Sequence, residues 1–223
     1  ILKDRIILSH KVLDVHRDIV KKNIDRGLLP IYTHKLIDMD KQFSTIGING
    51  LYECINHLGG VSVNEIGEYN YNEIGHDIIM KIFGLIKELN STTLDLYGYT
   101  SNTEQIPAES CSSKSVQKDK LLFRDKVGNL ELYGNQWIPL SVNASIEDRI
   151  EASANYDTQC GGGAILHLNL NEPIKDFETA WNLAKSIAKR NVVYYSLIDK
   201  FQYCENDHCF HGNTCDVCGS PSI

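Results

Sequence analysis

The sequence predicts an α/β fold in which helices alternate with the strands of a buried sheet or barrel. Runs rich in β-branched and apolar residues recur along the chain, at 28–32, 43–50, 92–99, 164–170 and 192–198. The stretches between several of these runs have the apolar spacing of amphipathic helices. Strands that alternate with helices from end to end are typical of α/β proteins. Glycines stand where predicted strands meet loops, which is where such folds bind ligands.

An amphipathic helix is predicted over residues 2–23, because apolar residues recur there at helical spacing with charges between them. Strands are predicted at 28–32 and 43–50. Gly47 and Gly50 in the second strand lack a Cβ, so a ligand or another backbone could approach closely there.

Helices are predicted next over 51–58 and 69–89, separated by Gly59-Gly60. The run 92–99 alternates as a strand does. Residues 114–156 are expected to be largely irregular, with a helix at 145–154.

The segment Ile106-Pro-Ala-Glu-Ser-Cys-Ser-Ser113 is predicted to turn from a strand into a helix, since proline is favoured at the first helical position. The first N–H groups of a helix have no partner within it and attract anions. The candidate anion-binding residues are Pro107, Ala108, Glu109, Ser110, Ser112 and Ser113. An ordinary helix start is the alternative, because a carboxylate in the first turn repels phosphate unless it points away.

Gly161-Gly162-Gly163 precedes the predicted strand at 164–170, which is followed by a helix at 171–190 and a strand at 192–198. These glycines are site candidates, and a flexible lead-in to the strand is the alternative. His167, on the strand, is interpreted as a hydrogen-bonded core residue rather than a catalytic base.

Four of the seven cysteines lie in the last twenty residues, with the spacing C-x4-C-x5-C-x2-C: Cys204, Cys209, Cys215 and Cys218. Two close pairs can place four thiolates around a zinc ion. The tail has too few apolar residues to fold without a metal. We therefore expect a zinc-binding knuckle, a small zinc ribbon, over 201–223, after an α/β domain over 1–200.

Two alternatives remain open for this cluster. A pair of disulfides is one, and replacement of one cysteine by His208 or His211 is the other. The charged, amphipathic start of the chain does not resemble a signal peptide, and no apolar run approaches membrane-spanning length. We therefore expect a cytoplasmic location and no membrane partner, and a reducing compartment favours zinc over disulfides.

The net charge of −7 disfavours nucleic acid as a partner, since phosphate-backbone binding relies on clustered Lys and Arg. The chain does not begin with Met, and we expect it to be a piece of a longer protein.

Four segments, in this order, resemble the C-terminal half of the anaerobic (class III) ribonucleoside-triphosphate reductases. They are Phe-Ser-Thr-Ile-Gly-Ile-Asn-Gly-Leu-Tyr-Glu at 43–53, Ile-Pro-Ala-Glu-Ser at 106–110, Gly161–Gly163 with Ile165 and His167, and the cysteine tail. The family has a similar T-I-G-x-x-G-L-x-E stretch, T-P-x-E-[SG] turn, G-G strand and terminal zinc site. The match spans nearly the whole chain.

The resemblance implies that residues 1–200 form a partial α/β barrel, a piece of the ten-stranded barrel of the reductase catalytic domain. That enzyme reduces ribonucleoside triphosphates to 2'-deoxyribonucleoside triphosphates by anaerobic radical chemistry. It implies substrate phosphates on the turn at 107–113, zinc in the tail, and a barrel lining of Gly47, Gly50, Gly162 and Gly163. It also implies a glycyl radical made by a separate iron-sulfur, S-adenosylmethionine-dependent activase. The implied partners are the substrate, the activase, the remainder of the reductase chain and a second copy in a homodimer.

The chain departs from the family pattern in two places. It contains neither an R-x-C-G-Y-x-G radical motif nor a G-C-R-S-like sequence for the thiyl cysteine. No catalytic residue is therefore assigned. Of Cys54, Cys111 and Cys160, only Cys160 is kept as a candidate, and the chain alone is expected to be inactive. The alternatives are a glycyl-radical enzyme of the formate-lyase type and a non-catalytic zinc-ribbon binding protein.

Overall fold

The computed structural model describes residues 1–170, 174, 176–198, 202–210 and 212–221. In that part the α-helices are α1 (Leu2–Asp25), α2 (Pro30–Thr33), α3 (Leu51–His57), α4 (Glu73–Ser91), α5 (Thr93–Tyr97), α6 (Glu109–Leu122), α7 (Arg124–Val127), α8 (Ile146–Tyr156) and α9 (Phe177–Ala188). The strands are β1 (Ser44–Ile48), β2 (Val61–Val63), β3 (Tyr69–Tyr71), β4 (Ser101–Gln105), β5 (Leu166–Asn169), β6 (Tyr195–Ile198), β7 (Gln202–Tyr203) and β8 (Cys209–Phe210).

Two pairs of parallel strands, each joined by helical connections, form the centre of the fold. β1 pairs with β4, and β5 pairs with β6. A parallel bridge between Glu104 and Gly163 links the two pairs, and the N–H of Gln105 donates to the Gly163 carbonyl at 3.0 Å. The predicted α/β class is confirmed, whereas closure into a ten-stranded barrel remains a prediction.

Apolar clusters pack the helices against each other and against these strands. The main cluster lies around α4 and combines residues of α3, α4, α8 and the loop before α8: Leu51, Tyr52, Ile55, Ile79, Phe83, Trp137, Ile138, Ala152 and Tyr156, with Cys160 and Ala164. A second cluster joins α8 and α9 to β5 through Ile150, Ile187, Leu166 and Leu168. A third joins α1 to α4 through Ile6, Ile86 and Leu89.

The start of α4 packs backbone to backbone against the loop that follows α3. The Asn72 side chain caps α4 by accepting the N–H of Gly75 at 2.9 Å, and the Asn72 N–H donates to the Gly60 carbonyl at 3.1 Å. A Cβ on Gly75 would overlap the Gly60 carbonyl oxygen. Both glycines are therefore required by space.

Two predicted strands are wrong. Residues 28–32 contain the start of α2, where Pro30 fixes a helical φ and occupies a position whose N–H has no helical partner. Residues 92–99 contain α5, because the hydroxyls of Thr92 and Thr93 donate back to carbonyls at the end of α4, each at 2.8 Å. The strand that pairs with β1 is β4, whose polar sequence has no strand pattern.

Other boundaries differ by less. The helix predicted at 69–89 begins at Glu73, because Tyr69–Tyr71 pairs with Val61–Val63 as an antiparallel hairpin. The segment predicted as irregular contains the end of α6 and all of α7. The predicted helix at 171–190 is α9 (Phe177–Ala188); its first residues, 171–173 and 175, lie outside the described residues.

In the described ranges, we find no helix with both the length and the apolar content that crossing a bilayer requires.

Candidate functional site

The predicted turn at 106–113 leads from β4 into α6, and α6 begins at Glu109 without a side-chain cap. The first backbone bond back along the helix runs from the Ser112 N–H to the Ala108 carbonyl, at 2.8 Å. The N–H groups of residues 109–111 therefore lie in the open first turn, where they have no partner within the helix. Together with the helix dipole, they favour an anion at this end of α6.

The serines of the turn differ in what they can contact. Ser110 is exposed and Ser113 is half-buried, so both hydroxyls lie at or near the surface. Ser112 is buried, and its hydroxyl donates to the carbonyl of Tyr133. Ser112 therefore fastens a neighbouring loop in this structure, whereas Ser110 and Ser113 are the hydroxyls near the open helix end.

The glycine motif at 47–50 lies beside this turn. β1 and β4 are parallel and in register up to the pair Ile48 and Gln105, so their carboxyl ends meet at one edge. A Cβ on Gly47 would overlap the side chain of Ile106. Gly47 thus leaves the space that the Ile106 side chain occupies, and the segments at 47–50 and 106–113 meet at one edge.

The glycines at 161–163 contact β4 along the edge that does not pair with β1. The Gly162 N–H donates to the Thr103 carbonyl at 2.7 Å, and a Cβ there would lie 2.9 Å from that oxygen. Gly163 has a φ of +133°, which favours glycine. These residues set the close approach of β4 and β5; whether they line a barrel remains a prediction.

Two clefts open beside the strand ends. One of about 600 Å³ lies between α3 and the segment from the end of α6 through α7, and one of about 480 Å³ lies along the loop at 129–141 and reaches Ala108. Both are bounded by Asn49, Glu53, Leu130 and Tyr133. Volumes of this order suit a small organic ligand. The second cleft reaches Ala108, the residue before the start of α6.

Asn49 and the loop residues that border the clefts are not among the site residues predicted from the sequence. Asn49 stands between Gly47 and Gly50, and a polar residue at a glycine-marked strand end was an available clue. No such clue in the sequence marks Tyr133 and Gly134, because hydrogen bonds to residues far away in the sequence bring them to the site.

Of the three cysteines outside the tail, Cys111 is exposed, whereas Cys54 and Cys160 have thiols whose pKa is raised. Cys160 is buried in the main core cluster, and burial raises the pKa of its thiol to about 12. Burial also raises the pKa of Cys54. A thiol with a raised pKa is a poor nucleophile near neutral pH. These pKa shifts argue against nucleophilic roles for both thiols. His167 lies half-buried in β5, and its backbone N–H donates to Gln136 Oε1 at 3.1 Å. Its ring Nδ1 is buried and has no hydrogen-bond partner among the described residues, so the predicted hydrogen bonding of this side chain is not seen.

A second candidate site lies in the tail, where three sulfurs and one imidazole converge. The ligand atoms of Cys204, His208, Cys215 and Cys218 all lie within 4.8 Å of one another. His208 Nδ1 is 3.5 Å from Cys204 Sγ and 3.6 Å from Cys215 Sγ, and Cys218 Sγ is 3.6 Å from Cys204 Sγ. Sulfurs about 2.3 Å from a zinc ion at tetrahedral angles would be roughly 3.8 Å apart. The group could hold a metal ion, and its donor set is consistent with zinc.

Two tight turns present these ligands. Asp207, at φ +60°, allows the Cys204 N–H to donate to the His208 carbonyl at 3.2 Å, and Gly219, at φ +72°, closes the turn after Cys218. Hydrogen bonds from Ser220, and then from Asn206, lower the pKa of the Cys218 thiol to about 5. The lowered pKa favours the thiolate, which is the form that binds metals.

The four sequence-predicted cysteines do not all meet. Cys204, Cys215 and Cys218 do, but the fourth member of the group is His208, one of the two histidines named as possible replacements. Cys209 is exposed in β8 and is not in the group. His211 lies outside the described residues.

Parallel strand ends that meet at an open helix N-terminus are typical of α/β enzymes that bind an anionic ligand. Comparison with known proteins identifies the family. A family model described as anaerobic ribonucleoside-triphosphate reductase matches residues 1–223. The chain belongs to this family of oxidoreductases, as the sequence resemblance predicted.

Solved structures agree. One titled "Anaerobic ribonucleotide reductase" is 36% identical, with a TM-score of 0.93, over 100% of this chain and 34% of that one. The Thermotoga maritima anaerobic ribonucleotide reductase with glycerol in the active site has the same identity and TM-score, over 100% and 36% of the two chains. The same enzyme in complex with dATP and CTP is 36% identical, with a TM-score of 0.91, over 100% and 36%.

The chain spans about a third of the length of these solved reductases. A comparison with curated protein sequences finds no match. The family assignment favours a reductase over the formate-lyase type and over a non-catalytic zinc-ribbon protein.

Proposed function

We propose that this chain is the part of an anaerobic ribonucleoside-triphosphate reductase that binds the substrate phosphates and carries a zinc site. The complete enzyme would reduce ribonucleoside triphosphates to 2'-deoxyribonucleoside triphosphates. The observation that carries the proposal is the open N-terminus of α6 at the shared edge of β1 and β4. A triphosphate is the kind of anion that such an end binds.

The smaller cleft indicates how a bound nucleotide would be oriented. Ala108, at the start of α6, also borders the smaller cleft, so phosphates at the helix end would leave the nucleoside in that cleft. Pro107, Ala108 and the N–H groups of residues 109–111 would form the phosphate cradle, with Ser110 and Ser113 as side-chain donors. In this arrangement Ser112 would act indirectly, through its bond to Tyr133.

The radical groups belong to other parts of the complete enzyme in this proposal. The family's glycyl radical, made by a separate activase, would supply the radical chemistry when present. This chain's residues bind and orient the nucleotide, with the strand-end glycines near the cavity. A cytoplasmic location and a homodimer are part of the same proposal.

The division into a catalytic part at 1–200 and a zinc-binding tail at 201–223 is also proposed. Zinc would be held by Cys204, His208, Cys215 and Cys218, a Cys₃His set that suits a structural site. The tail's own apolar cluster consists of only Cys204, Phe210 and Cys215 among the described residues. A metal is therefore expected to supply most of the stability of this segment.

Ser110→Asp tests the phosphate cradle in the complete reductase polypeptide. A carboxylate at the second position of α6 should stabilise the helix by about 0.3–1 kcal/mol and repel a bound phosphate. We expect the affinity for ribonucleoside triphosphates to fall at least about tenfold while the melting temperature holds or rises. Isothermal titration calorimetry and thermal denaturation measure the two effects.

Ser110→Asn is the matched control, because it has nearly the same shape without the charge, and its affinity should stay close to that of the wild type. Equal affinities for the Asp variant and the wild type would contradict phosphate binding at this helix end.

A further inference from the structure

The peptide segment Tyr133–Gly134 is fastened to two elements that border the proposed nucleotide site. The Gly134 carbonyl accepts the N–H of Gly50 at 2.7 Å, and the Gly134 N–H donates to Glu53 Oε1 at 2.9 Å. On the other side, the Tyr133 carbonyl accepts the Ser112 hydroxyl, and the Tyr133 hydroxyl donates to Asp119 Oδ2 at 2.6 Å. The segment thus connects α3 to α6.

The segment is also tightly packed. A Cβ on Gly134 would lie 2.8 Å from Pro139 Cγ, and a Cβ on Gly50 would lie 3.1 Å from Tyr133 Cβ. Tyr133 borders both clefts, and Gly134 borders the smaller one. A shift of this segment would therefore change the shape of both clefts and the position of the first turn of α6.

Glu53 is the side chain that fastens the segment to α3. Its Oε1 accepts the Gly134 N–H, whereas Oε2 is buried and has no hydrogen-bond partner in the part of the chain that the structure describes. Burial raises the pKa of this carboxyl. A buried carboxyl with one unpartnered oxygen lowers the stability of the fold, because the desolvation of that oxygen is not compensated by a hydrogen bond. What this carboxyl provides is the acceptor for Gly134.

We propose that Glu53 is a positioning residue for the nucleotide site, acting through the Gly134 N–H to hold the segment Tyr133–Gly134 between the two clefts. Although Glu53 borders both clefts, its Oε1 is bound to the Gly134 N–H and its Oε2 is buried, so in this proposal it acts through the loop. The inference rests on the proposed function, because it assumes that a nucleotide occupies the cleft next to α6.

Three substitutions at Glu53 separate this role from others. Glu53→Gln keeps an oxygen that can accept the Gly134 N–H. Glu53→Asp keeps the charge but is one methylene too short to reach it without a shift, and Glu53→Leu fills the space without an acceptor. Glu88→Leu, at an exposed position of α4, controls for the general loss of a glutamate.

The kinetics of the complete, activated reductase give the test. We expect the Asp and Leu variants to raise KM for ribonucleoside triphosphates about tenfold, with a smaller change in kcat. The Gln variant and Glu88→Leu should stay near the wild-type values. If the Leu variant does not fold, the contrast between the Asp and Gln variants decides.

Two outcomes would overturn the inference: a Gln variant as impaired as the Leu variant, or Asp and Leu variants with wild-type KM. Failure of the proposed function would be a different result, namely a wild-type enzyme that neither binds nor reduces ribonucleoside triphosphates.

Discussion

Cys204→Ser is expected to abolish stoichiometric metal binding by the tail, whereas Cys209→Ser is expected to leave it nearly unchanged. Cys204 contributes a sulfur to the four-ligand group, and Cys209 is exposed outside it. Structural zinc contributes roughly 10 kcal/mol or more to folding such segments, so loss of a ligand should lower metal affinity by about 100-fold or more. Metal analysis and competition with a chromophoric chelator measure both effects.

His208→Ala extends the same experiment, since it should behave like Cys204→Ser. Limited proteolysis should then show cleavage within 202–221 in both variants and protection in the wild type and Cys209→Ser. Metal retained by His208→Ala and lost by Cys209→Ser would instead support the four-cysteine set expected from the sequence.

Gly75→Ala is expected to destabilise the fold by about 2–4 kcal/mol, because its Cβ would overlap the Gly60 carbonyl. The Gly60 carbonyl belongs to the backbone, so the overlap can be removed only by moving the start of α4 or the Gly60 peptide. The start of α4 borders the main core cluster. Chemical denaturation of the wild type and the variant measures the difference in the free energy of unfolding.

Gly84→Ala is the matched control, because it makes the same substitution in the same helix. No atom lies within 4 Å of the position of its Cβ, so the helix propensity of alanine should stabilise by about 0.5–1 kcal/mol. Two substitutions with the same sign and size would contradict the close packing of α4 on Gly60.

Much of the helical structure could be predicted from the sequence because its determinants are local. The first helix, α3, α8 and α9 have apolar faces or capping residues within a few positions. The strands were harder, because β4 is polar and pairs with β1 across 57 positions, as in the bond between Thr45 and Asn102. Residues 92–99 were misassigned because alternation alone does not reveal that Leu94 and Leu96 are exposed.

The candidate site was predictable where its chemistry is carried by short motifs. The turn at 106–113 and the glycines at 47–50 have backbone requirements that limit their residue types. The bond of Glu53 to Gly134 joins residues 81 positions apart, and no local pattern indicates it. The tail contains more Cys and His side chains than the four ligands that a tetrahedral metal site needs. In the structure, the turn around Asp207 brings His208, and not Cys209, to the other ligands.

The most direct test of the account is a structure of the complete reductase with a ribonucleoside triphosphate bound under anaerobic conditions. We expect phosphate oxygens about 3 Å from the backbone nitrogens of Ser110 and Cys111. The nucleoside should lie in the smaller of the two clefts that Asn49 and Tyr133 border. An ordered triphosphate bound elsewhere, with the first turn of α6 not in contact with it, would contradict the account.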